Sequence, residues 1–366
     1  MNKFNFQTLF FIAIAIVFTL SSCKKDSSLK DSDIPTTYNF ENVNYSGQTA
    51  RLAMMAEITT YMKTANVSGT VVTAAVLKDM FANENNPFTD AALNADSKDI
   101  ESKTFAADVA KIKDYMDKLA ALSGNTTVAS AGVAGIATSG TSSYLVNENG
   151  VEYRELIEKS LMGALSYYQI AAVYTSADKI GDAVDNETVI AGEGTAMEHH
   201  WDEAFGYIGA NSTFDETTYS FHAKYASKGE AAGLNTRTNL FKAFLAGRAA
   251  ISAKDMDRKN IEAANVRKYM EEVIVTTAIS YLNGSKANIT DYAVACHQLS
   301  EAYGLISSLK YNGEKKVSDA DISLLKSYLE NTSGEPDFAN ITVAKINMAI
   351  DKLSTIYGLD AVKNSL

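Results

Sequence analysis

From Gln48 onward, apolar residues recur every three or four positions, the spacing that lines one face of a helix with 3.6 residues per turn. Leu52, Met55, Ala56, Ile58 and Met62 form one stripe, and Val72, Ala75, Val76 and Met80 form the next. Further amphipathic runs cover roughly 100–122, 151–175, 193–210, 236–253, 258–283, 288–310, 318–331 and 341–357. Only three prolines (Pro35, Pro87 and Pro336) occur in 366 residues, so little interrupts these helices. Ser123-Gly124, Asn283-Gly284 and Asn312-Gly313 place residues that tolerate a left-handed backbone where helices are expected to stop. Ser318 with Asp319 and Asp321 puts acceptors and negative charge at a helix start. The expected fold class is therefore all-α, built of helical bundles. Residues 124–150, rich in Gly, Ser, Thr, Ala and Val, read as an irregular, mobile insertion with a short hairpin around Thr126–Thr138. The acidic stretch Gly181–Gly194 lacks the ligand spacing of a calcium loop and reads as solvated.

The N-terminus carries an address. Lys3 precedes an apolar run from Leu9 to Leu20, which is too short to span a bilayer and ends in Leu20-Ser21-Ser22-Cys23. This is a lipobox: residues 1–22 are expected to be removed as a lipoprotein signal peptide, leaving Cys23 lipidated as a firm membrane anchor. The chain is then expected in the bacterial cell envelope, on the outer membrane, with the polar residues 23–46 as a flexible tether. Loss of Lys3 takes the formal net charge from -11 to -12. That acidity leaves no basic surface for nucleic acid. Cys296 remains as a lone thiol with no disulfide partner, a buried and inert residue.

Three of the four histidines lie in two segments that resemble each other. His199 to Ile208 and His297 to Ile306 both read His-x-x-x-Glu-Ala-aromatic-Gly-x-Ile, offset throughout by 98 residues. The repeat reads as an internal duplication, with halves of about 47–215 and 216–366. Residues at i and i+4 share a helix face, so His199 with Glu203 and His297 with Glu301 each present an imidazole beside a carboxylate. Gly206 and Gly304 fall three residues after the glutamates, where a mid-helix glycine marks close approach of another backbone. If the two segments face each other, two histidines and two glutamates meet in one site. Such a set suits iron or zinc, and it also suits a purely structural hydrogen-bonded pair. Hydrolytic motifs of the His-Glu-x-x-His and Gly-x-Ser-x-Gly kinds are absent, and no histidine follows a glutamate at the spacing of di-iron bundles. No catalytic residue is identified, and binding is favoured over catalysis.

The run His199-His200-Trp201-Asp202-Glu203-Ala204-Phe205-Gly206-Tyr207 is specific. With Lys159 to Ala164, Gly247 to Ile251 and His297 to Ile306, it resembles a family of bacterial lipoproteins known as domain-of-unknown-function family 4856, and is similar to the imelysin-like proteins. The resemblance runs from about Tyr38 to Ser365. It implies two related four-helix halves with a site between them and an association with iron uptake. The imelysin signature Gly-x-His-x-x-Glu matches His200 and Glu203, but Glu198 stands in the glycine position, so His200 joins His199 as a candidate partner of Glu203. The metal-ligand candidates are then His199, His200, Glu203, His297 and Glu301, with Arg248 as a candidate anion anchor. The alternative is an envelope module for a peptide or glycan, with Trp201 among 19 tyrosines offering stacking faces.

Overall fold

The computed structural model describes residues 29–366; the expected signal peptide, Cys23 and the first part of the expected tether lie outside the described residues. Helices α1 (Ser46–Lys63), α2 (Ala74–Ala82), α3 (Ala91–Ala95) and α4 (Ala106–Leu122) precede a two-stranded hairpin, β1 (Gly135–Ser139) and β2 (Ser142–Val146). Then follow α5 (Tyr153–Leu161), α6 (Ala177–Ile180), α7 (Ala196–Gly206), α8 (Phe221–Tyr225), α9 (Ser227–Ala231) and α10 (Thr236–Ser252). The chain closes with α11 (Met256–Ala287), α12 (Tyr292–Ser308), α13 (Asp319–Ser327) and α14 (Val343–Tyr357). The molecule is predominantly all-α, as its apolar spacing requires.

Local chemistry explains the helix starts. Thr195 and Glu198 close a reciprocal capping box on α7, and Asp255, Asp291, Ser318 and Thr342 cap α11, α12, α13 and α14. Asn283-Gly284 does not stop its helix. α11 runs on to Ala287 because Gly284 lies against Gln298 of α12, whose side chain would meet any added Cβ at 2.7 Å. Packing there outweighs the local stop signal. Past Leu161, α5 continues as π-helical turns over Met162–Tyr167 and Gln169–Tyr174. The tight contact lies on this stretch: a Cβ on Gly163 would meet Ser308 Oγ of α12 at 2.1 Å.

α11 packs against both α10 and α12, and α12 packs along α5. One continuous apolar core spans all of them. Two expectations need correction. Residues 29–46 are not a free tether, because Tyr38 is 1% exposed, stacks on Phe205 at 3.7 Å and donates a hydrogen bond from its hydroxyl to Asp202 Oδ1 at 2.9 Å. The insertion is not loose either. The expected turn closes at Ala131-Gly132, where Ser130 and Val133 exchange backbone hydrogen bonds at 3.2 and 2.8 Å, and the β1–β2 hairpin follows it, turns at Gly140-Thr141, and buries Leu145 and Val146 completely. Among the described residues no helix is long and apolar enough to cross a membrane.

Candidate functional site

The two His/Glu pairs do not face each other. His297 and Glu301, on α12, meet the first turn of α5, whereas Glu203, on α7, meets Tyr174 at the far end of the same helical stretch. At 1.5 Å per residue, or slightly less through π turns, these ends are roughly 25 Å apart. Gly206 and Gly304 each admit a close neighbour, but different ones: Tyr45 and Gln48 lie over Gly206, and Lys159 lies over Gly304.

The α5–α12 centre is the denser of the two. The charged run Glu152 to Lys159 brings Glu155, Glu158 and Lys159 onto neighbouring faces of α5. Carboxylates at this end of a helix also suit its dipole. The Glu152 backbone N–H donates to Ser300 Oγ at 3.0 Å, which locks the start of α5 to α12. Its carboxylate, wholly buried, accepts from Arg154 Nε at 2.9 Å, from Asn66 Nδ2 at 3.3 Å and from His297 Nδ1 at 2.7 Å. Arg154 also binds Glu155 and reaches Glu158 Oε2 at 3.4 Å. The buried Lys159 ammonium donates to Glu155 Oε2 at 2.8 Å and Glu158 Oε1 at 3.0 Å, and lies 3.1 Å from Glu301 Oε1. His297 Nε2 is 3.6 Å from Glu301 Oε2, and Tyr144 of the hairpin stacks over the imidazole at 4.3 Å.

Electrostatics follow from this geometry. Burial alone would raise the Glu152 carboxyl, but the Arg154 charge and the His297 hydrogen bond outweigh it and hold the group down to about 2. Burial works against the His297 imidazolium, yet the Glu152 hydrogen bond and charge, then Glu155 and Glu301, raise its pKa above the ordinary value. Burial raises Glu301, against the opposing charge of Lys159. Glu152, Glu155 and His297 place one ligand atom each within 4.8 Å of one another, a mixed N/O set able to hold a metal ion.

The α7 pair is sparser. His199 Nε2 lies 4.0 Å from Glu203 Oε2, while Glu203 Oε1 accepts from Gln48 Nε2 at 2.8 Å and the Tyr174 hydroxyl at 2.9 Å. His200 turns elsewhere: its Nδ1 lies 2.7 Å from the Lys179 carbonyl, and its Nε2 lies 3.5 Å from the Lys179 ammonium. Burial lowers the His200 pKa. Trp201 offers no stacking face, being wholly buried with its indole N–H donating to the Phe244 carbonyl at 3.0 Å. Its ring fills the space over Gly247, where a Cβ would meet it at 2.0 Å. Arg248 is no anion anchor. It is buried and committed to two carboxylates, Glu198 Oε1 at 2.6 Å from NH1 and Asp202 Oδ1 at 2.9 Å from Nε. Burial pushes Asp202 up to about 7 although Arg248 opposes it, for the guanidinium is shared with Glu198 and Asp202 Oδ2 has no partner. Cys296 is buried, and burial pushes its thiol up to about 12.

Residues 35–359 match the family described as Domain of unknown function (DUF4856). The chain belongs to this family. No curated protein and no solved structure matches it. In this DUF4856 protein, Glu152, Glu155, Arg154 and Tyr144 were not singled out by spacing. The available signal was the run Glu152-Tyr153-Arg154-Glu155 followed by Glu158-Lys159, a dense mixed-charge segment inside a helix that must also bury Leu156, Ile157 and Leu161. Charges placed there have to pair internally.

Proposed function

We propose that this chain is a cell-envelope binding protein, held to the membrane by a lipid on Cys23, that takes a divalent metal ion such as iron or zinc at the α5–α12 centre. The observation carrying it is the convergence of His297, Glu152 and Glu155. Charge supports the same conclusion. Among the described residues Glu152, Glu155, Glu158 and Glu301 meet only two permanent cations, Arg154 and Lys159, and His297 adds a third only when protonated. A buried site with excess negative charge favours an added cation. Arg154 stands between Glu152 and Glu155, and its existing contact with Glu158 gives it somewhere to go when an ion takes its place. The competing reading, a peptide- or glycan-binding module with purely structural His/Glu pairs, keeps its support from the mutually satisfied hydrogen bonds of the centre but loses Trp201 as a stacking face.

The test uses chelator-stripped protein exposed to Zn²⁺ or, without oxygen, Fe²⁺. One bound ion per chain and a rise in melting temperature are expected, since ligand at a hundredfold its Kd stabilises by about 2.7 kcal/mol. His297→Gln combined with Glu155→Gln should abolish both, whereas Glu203→Ala should leave both in place. Equal metal content in the wild type and the double variant would overturn the proposal.

A further inference from the structure

A cavity of about 370 Å³ opens between α11, the turn after α12 and the end of α14, lined by Glu271, Lys268, Lys316, Tyr357 and Leu359 among others. Its size falls in the range of small-molecule sites. Glu271, on α11, is 3% exposed and makes three hydrogen bonds, all from neutral donors. Oε2 accepts from Asn312 Nδ2 at 2.8 Å, and Oε1 accepts from the Lys316 backbone N–H at 2.9 Å and from the Tyr357 hydroxyl. No ion pair among the described residues includes it. A carboxylate has about four acceptor positions, so one remains free on Oε2. The fully buried Tyr167 lies beside Asn312 and Glu271. Buried carboxylates are normally paired with a cation, and here the chain supplies none.

The cavity wall carries the opposite imbalance: Arg267 is taken up by Glu314 at 2.8 Å, which leaves the two ammonium groups of Lys268 and Lys316 against the single carboxylate of Glu272, itself accepting from the Thr236 hydroxyl. Lys268 and Lys316 are exposed, join no ion pair among the described residues, and lie over the Tyr269 and Tyr357 rings at 5.0 and 5.7 Å. The cavity therefore has a buried negative floor and an exposed positive wall. An ammonium ion alone would meet the lysines, and a carboxylate alone would meet Glu271. A molecule carrying both groups satisfies both ends. We propose that this cavity is a second binding site, separate from the α5–α12 centre, for a small zwitterion of the amino-acid class, with its ammonium on Glu271 and its carboxylate toward Lys316 and Lys268.

The whole chain in detergent, with chelator present, is titrated calorimetrically with glycine, alanine, lysine and glutamate, and with butylammonium and acetate as half-ligands. At least one amino acid should bind with submillimolar Kd, and the half-ligands at least tenfold more weakly. Glu271→Gln should weaken amino-acid binding tenfold or more, and Lys316→Ala should weaken it too while leaving the three hydrogen bonds to Glu271 intact. His297→Gln should bind as the wild type does, which separates this site from the metal centre. Absence of heat and of any melting shift up to 10 mM for all four amino acids would overturn the proposal. So would equal affinity in the wild type, Glu271→Gln and Lys316→Ala.

Discussion

Asp202 and His297 show how single residues set the pH response. Asp202, ordinarily near 3.8, is pushed up to about 7 by burial, and so holds its proton more tightly folded than unfolded. Its contribution to stability is complete below pH 4 and is lost as pH rises through 7, about 4 kcal/mol at most, at roughly 1.4 kcal/mol per pK unit. His297 is also raised, so its contribution is present below its ordinary 6.5 and lost as pH rises through its folded value. Glu152, held down to about 2, acts oppositely and loses its contribution only as pH falls from 4.5 toward 2. The melting temperature should therefore fall from pH 5 to pH 8, and Asp202→Asn should shrink that fall while costing some stability overall. A wild-type profile that is flat or rising over this range, or a fall of equal size in the variant, would contradict the assignment. At this scale His297 was legible because the His-x-x-x-Glu repeat exposes it. The fates of Trp201 and Arg248 were not, since a helix sequence does not say which polar residue will end beneath a neighbouring segment.

At the scale of elements, the β1–β2 hairpin roofs the His297 centre. Asn66 joins the two: its Oδ1 accepts from the Leu145 backbone N–H at 2.9 Å while its Nδ2 donates to Glu152 Oε1 at 3.3 Å. Removing that amide leaves a buried N–H without an acceptor, a loss of about 1–3 kcal/mol. Asn66→Ala should lower the melting temperature by several degrees and speed hydrogen exchange over 142–146, with α14 unchanged as an internal control. Unaltered protection in β2 would mean that Asn66 does not hold the roof. The helices were legible because a 3.6-residue apolar period extends over many turns. The turn at Ala131-Gly132 was legible in the Gly-, Ser- and Thr-rich sequence, whereas the β1–β2 hairpin after it was not, because only docking of Leu145 and Val146 into the core selects its register.

For the whole molecule, membership of DUF4856 from residue 35 to 359 leaves the expected lipobox outside the matched residues. The described chain enters against the α10–α11 turn, where the Leu29 backbone N–H donates to Asp255 Oδ2 at 2.8 Å. In detergent phase partition the wild type should collect in the detergent phase, and Cys23→Ala should move to the aqueous phase. Equal partition of the two would refute the lipid anchor.

Periodicity, proline scarcity and capping residues determined by themselves that this chain is helical and roughly where each long helix lies, because those signals act through backbone geometry within a few turns. The repeated His-x-x-x-Glu motif likewise determined that an imidazole and a carboxylate share a face on α7 and again on α12. Which helix each face would meet was decided only by tertiary packing. Gly206 admits α1 and Gly304 admits α5, so the two pairs stand at opposite ends of one helical stretch instead of in one site. Side-chain volume at the contact, together with the need to compensate each buried charge, made that choice, and neither can be read along a single strand of sequence.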